Sequence, residues 1–174
     1  MINTNNIYQY FGVNLINQGV QFLRKSFNAN AESKGAGFIR ESLNNVGLFS
    51  VVDTEMDLYY LFTDWNVWQT ILGMVNQVLG KIPYVSDYFD CDNYAYFTSS
   101  LCPLIFGITC GEAFGKFTNS TSGQEFMHHW NLIIDKQGNV YIYDGMSGNS
   151  CQVVKGQPIK MGMGVYEIQN IKFF

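Results

Sequence analysis

Cys91 stands in the segment Asp90-Cys91-Asp92-Asn93-Tyr94-Ala95, a single thiol among acids and aromatics where a helix is expected to begin. Unpaired N–H groups and the helix dipole at such a start favour a thiolate over a thiol. Further along lie a histidine pair, His128 and His129, and then Asp144, an acid that closes a strand-like run. A thiol, an imidazole and a carboxylate in that order supply a nucleophile, a base and a group to orient the base.

The hairpin between histidines and acid decides which histidine serves. In Asp135-Lys136-Gln137-Gly138-Asn139, an Asp opening the turn and a Gly three residues on suit a three-residue loop with Gly left-handed. Asp135 then faces Asn139, Trp130 faces Asp144 and His128 faces Met146. His128 becomes a diagonal neighbour of Asp144 on one sheet face, while His129 points to the other. A one-residue slip would reverse that choice, so His129 stands as the alternative base. Tyr94, Trp130 and Asn131 are the expected walls of a substrate cleft.

The elements that must hold these residues follow from apolar spacing. Positions Phe11, Leu15, Ile16, Val20, Leu23 and Phe27 recur as in a helix, and a shorter helix passes through Phe38, Ile39 and Leu43. Asp64 offers a cap to a helix from Trp65 to Leu79 that stops at Gly80, and Pro103 ends the helix that starts at Cys91. Strand-like runs follow, at 108–117, 126–135, 139–144 and 165–173. Helices first and an antiparallel sheet second describe an α+β domain. One domain over residues 1–174 is expected, with a helical N-terminal extension over 1–58 and a core over 59–174.

Composition narrows the setting. The 174 residues are 47% apolar and only 14% charged, which describes a globular chain with a real core. A formal charge of −4 without a basic stripe argues against nucleic acid as partner. No apolar run approaches the ~20 residues of a membrane helix, and no secretory leader is evident at Met1. Cytoplasmic synthesis is therefore expected, with a virion-carried protein giving the same pattern. The other three cysteines, Cys102, Cys110 and Cys151, form no C-x-x-C pair and read as small, mostly buried residues.

From Tyr59 to Gly148 the chain resembles the papain-like domain of the fungal agglutinin C-terminal family. The matching pieces are Tyr59-Tyr60-Leu61, Asp64-Trp65, Ile82-Pro83-Tyr84, Asp90 to Ala95, Gly111 to Gly115 and His128-His129-Trp130-Asn131. Tyr143-Asp144-Gly145 falls where that family carries its acid. The resemblance implies a papain-like fold in which a nucleophile-bearing helix packs on the antiparallel sheet. It implies a cysteine protease or amidase (a thiol hydrolase) working through Cys91, His128 and Asp144 on a peptide or protein substrate. No cofactor is required by that chemistry, and calcium at Asp92 is the one ion the resemblance suggests. The alternative expectation is an inactive fold serving as a binding or structural subunit, for example of a phage particle. Homo-oligomers or particles would then assemble through the N-terminal helices.

Overall fold

The computed structural model describes residues 16–27, 30–49, 52–55 and 57–173. Residues 16–27 form helix α1, so Phe11 and Leu15 of the expected first helix lie outside the described residues. Arg24 of α1 donates to the carbonyls of Pro103 and Leu104, and Phe27 packs edge-on against Phe106, so α1 docks on its own chain. Ile16 and Phe22 remain exposed on it. Among the described residues no helix is long and apolar enough to cross a membrane.

Strand β1 (Glu32–Gly35) leads into helix α2 (Ala36–Asn45), followed by β2 (Val52–Glu55) and β3 (Tyr59–Phe62). Helices α3 (Trp65–Leu79) and α4 (Cys91–Leu101) come next, and α4 runs on through a π-helical turn at Cys102–Phe106. Pro103 ends the α-helix as expected, since it has no N–H to return to the preceding turn, and the chain runs on as the π-helical segment. The remaining strands are β4 (Gly111–Asn119), β5 (Glu125–Ile134), β6 (Val140–Asp144), β7 (Asn149–Gln152), β8 (Ile159–Met161) and β9 (Gly164–Phe173).

The main sheet runs β2-β9-β4-β5-β6-β7, with β8 also paired to β9. All pairings are antiparallel except β2 with β9. Because β7 lies against β8, strands β4 to β9 curl into a nearly closed barrel. A separate two-stranded sheet pairs β1 with β3.

Two clusters flank the sheet. Inside the barrel, Ala113, Trp130, Leu132, Ile142 and Ile168 meet Ile39 and Leu43 of α2 and Phe62 of β3. On the opposite face Ile133, Tyr141 and Tyr143 pack against Trp68, Ile71 and Val75 of α3 and Tyr94 of α4. Burial on both faces makes β5 and β6 almost wholly apolar where they pair.

The expected papain-like fold, an N-terminal helical layer on a plain antiparallel sheet, is corrected by this arrangement. Residues 32–62 supply three strands as well as α2, and the sheet rolls into a barrel. The physical reason is that β1 (Glu-Ser-Lys-Gly) carries no apolar alternation of its own. It becomes a strand only because β3 offers it a pairing edge, which no local pattern records.

Candidate functional site

The hairpin places the histidines. Ile134 faces Val140 and Asn131 faces Tyr143, which continues to Trp130 against Asp144. The Asp135 N–H donates to the Asn139 carbonyl, and Gly138 takes the positive φ of 89° that the three-residue loop requires. The Asp135 carboxylate accepts from the Gln137 and Asn139 N–H groups and so locks the loop.

On the barrel face of β5, His128 Nε2 lies 3.2 Å from Asp144 Oδ2. The Tyr166 hydroxyl donates to the same oxygen at 3.0 Å, and the Met146 N–H donates to Asp144 Oδ1 at 3.0 Å. Both carboxylate oxygens are thus held in place. Burial alone would lower the His128 pKa, but hydrogen bonds to Asp144 and Cys91, with their charges, raise it to about 9. Burial likewise pushes the Asp144 carboxyl up, and the His128 and Tyr166 contacts outweigh it and hold the pKa down. The three groups of the sequence reading therefore meet, with His128 between thiol and acid. Cys91, half-buried, is the first residue of α4. The Asn93 side chain steadies that turn by accepting from the Asp90 N–H at 3.1 Å.

Other expected residues stand elsewhere. Trp130 and Asn131 are fully buried, so neither walls a cleft. Trp130 fills the barrel, and Asn131 Nδ2 donates to the carbonyls of Ala95 and Gly111, fastening α4 to β4. Tyr94 borders a shallow cleft with Gly145 and Met146, and its hydroxyl donates to the Ile82 carbonyl. His129 points to the helix side, 3.5 Å from Glu112. Asp92, where calcium was expected, stands in the first turn of α4 beside Asp90. The hydrogen bond with Asp90, then burial, raise the Asp92 pKa. Among the described residues no cluster of three or more metal-binding side chains is placed to hold an ion.

Sequence reasoning missed Tyr166, although the alternation of β9 puts Tyr166 and Ile168 on one face. Around His128 opens a cleft of about 270 Å³. Phe117 and Phe126 stack at its mouth with centroids 5.2 Å apart, and Phe117 meets Tyr166 edge-on at 5.0 Å. Asn119, Ser147 and Asn149 supply polar rims.

No protein-family model matches this chain, and no curated protein matches it in sequence. Solved structures do share its fold. One is PSL1a in complex with E64, at 17% identity and a TM-score of 0.53, covering 81% of this chain and 51% of that one. Another is a Polyporus squamosus lectin bound to the epitope Neu5Aca2-6Galb1-4GlcNAc, at 17% identity and a TM-score of 0.51. It covers 81% of this chain and 49% of the lectin chain. The chain thus spans about half the length of either.

These comparisons correct the assignment to the papain-like fungal agglutinin C-terminal family. With it goes the reading as a cysteine protease or other thiol hydrolase acting on peptides, since the glycan-bound structure that shares the fold is that of a lectin. The physical reason is that three side chains in a given order do not define a topology. Different sheets bring a helix start, a strand and a strand end together, and a fold by itself carries no activity.

Proposed function

We propose that this protein is a carbohydrate-binding module, with the sugar seated in the cleft at Phe117, Phe126 and His128. This keeps the expectation of a binding subunit and replaces a peptide ligand with a glycan. The carrying observation is the composition of the cleft. Two stacked aromatic rings lie beside amide and hydroxyl side chains, over a buried imidazole–carboxylate–phenol network. Apolar sugar faces pack on aromatic rings, while sugar hydroxyls need directional polar partners, and this cleft offers both. The glycan bound by the structurally similar lectin supports the same ligand class.

A glycan array followed by titration calorimetry tests the proposal. Binding of a galactose-containing oligosaccharide is expected, and Phe126→Ala should weaken it about tenfold by removing a half-exposed ring. No saturable binding to any glycan, or equal affinity for the variant, would overturn it.

A second reading rests on one specific observation, the coupling of Cys91 to a histidine whose pKa is raised to about 9. Under this reading Cys91 is the nucleophile, His128 its proton acceptor and Asp144 the group that orients His128. In reaction with iodoacetamide the Cys91 sulfur forms a bond to carbon, iodide leaves, and the thiol proton stays on His128. Cys91 should label faster than Cys151 near pH 7, and His128→Gln should remove the difference. Equal labelling of Cys91 and Cys151 in the parent protein sinks this reading and leaves the glycan proposal untouched.

A further inference from the structure

On the helix side of β5, away from the His128 cleft, a second cavity of about 550 Å³ opens between β4, β9 and the start of α4. Its inner wall carries Glu112, only 3% exposed on β4. Glu112 Oε1 accepts a 2.5 Å hydrogen bond from the Ser99 hydroxyl. Oε2 is buried and has no hydrogen-bond partner. His129 Nε2 is the nearest ion-pair contact to Oε2, at 3.5 Å, without the geometry of a hydrogen bond.

A buried carboxylate oxygen without a donor is costly and rare in folded proteins. A ligand that brings a charged N–H donor removes that cost. The rest of the cavity suits such a ligand. Tyr96 and Phe114, both partly exposed, meet His129 in T-shaped contacts at 4.9 and 6.0 Å and line the cavity. Asp92 adds a second acid to the lining. The Tyr96 pKa is raised, first by burial and then by the charges of Glu112 and Asp92, so the negative field of both acids reaches this space. Lys172 stands opposite Glu112 in the β4–β9 register and also lines the cavity, yet it does not donate to Oε2.

We propose that this cavity is a binding site for a small organic cation, a primary amine or a guanidinium. The cation head donates to Glu112 Oε2, and its alkyl stem lies against Tyr96 and Phe114. Charge-assisted donation to a desolvated carboxylate and contact with aromatic faces both select a cation over a neutral alcohol or an anion. The site lies on the opposite face of β5 from His128, and the inference does not depend on the glycan reading.

The test is a titration of the full chain with n-butylamine and butylguanidine, with n-butanol and butyrate as neutral and anionic controls. Amide shifts of Glu112, Phe114 and His129 in proton–nitrogen spectra are followed. Saturable shifts with the two cations alone are expected. Glu112→Gln should weaken cation binding about tenfold, since it removes the charge while keeping the shape. Lys172→Met should tighten it by removing a competing positive charge. Equal responses to butanol and butylamine, or preferential binding of butyrate that disappears in Lys172→Met, would overturn the proposal. Should Glu112→Gln fail to fold, Tyr96→Leu at the rim decides. A loss of about threefold or more supports the site, and unchanged affinity removes it.

Discussion

His128 gains its proton affinity from neighbours that reach it from three parts of the chain. Asp144 ends β6, Cys91 opens α4, and Tyr166 of β9 braces Asp144. Folding therefore depends on pH in a defined direction. A histidine pKa raised from 6.5 to about 9 contributes stability that is complete below pH 6.5 and is lost as pH rises through 9. The lowered Asp144 pKa contributes stability present above its ordinary value of 3.8 and lost at lower pH. Urea midpoints should hold level between about pH 5 and 6.5 and then fall toward pH 9. In His128→Gln that alkaline decline should flatten, and parallel pH profiles for the two proteins would contradict the assignment.

At the scale of elements, the barrel depends on places where backbone approaches backbone. The register between β4 and β9 shifts between Phe114 and Gly115, and a Cβ built on Gly115 would stand 2.0 Å from the Glu167 carbonyl oxygen. No rotamer relieves that clash, because the obstruction is main chain. Gly115→Ala should cost about 3 kcal/mol, at the upper end for overpacking, as read by urea unfolding. Gly123 provides the control. Its φ of +70° lies in open space, so Gly123→Ala should cost only about 1 kcal/mol. Similar losses at the two positions would mean that the bulge tolerates a side chain.

For the whole molecule, the decisive contact is the one that fixes α4 on the barrel. Asn131 is fully buried on the helix side of β5 and donates from one amide to Ala95 of α4 and to Gly111 of β4. Asn131→Leu keeps the volume and removes both bonds. A stability loss of about 2 kcal/mol is expected from buried carbonyls that lose a donor. The His128 pKa, followed by its ring proton shift, should also fall toward 6.5 as Cys91 on α4 loosens. A destabilised variant with an unchanged His128 titration would show that α4 is positioned by packing alone.

Local patterns in the sequence carried a good part of this. The apolar spacing from Trp65 to Leu79 suffices for α3, since one buried stripe on a helix needs only its own residues. The Asp135 to Asn139 turn sets the β5–β6 register through its glycine and its carboxylate, and that register puts His128 rather than His129 beside Asp144. Those are short-range determinants. The sequence did not reveal that β1 is a strand, that the sheet curls until β7 meets β8, or that Tyr166 braces Asp144. Nor did it show that Trp130 and Asn131 are sealed in the core, or that Glu112 faces a cavity with one oxygen unpaired. Each depends on segments far apart in the chain, and long-range pairing is chosen by the summed packing of many residues. The order Cys91, His128, Asp144 belongs to the sequence. The barrel around it, and the two clefts on opposite faces of β5, belong to the tertiary structure, because only packing decides which surfaces are left open to a ligand.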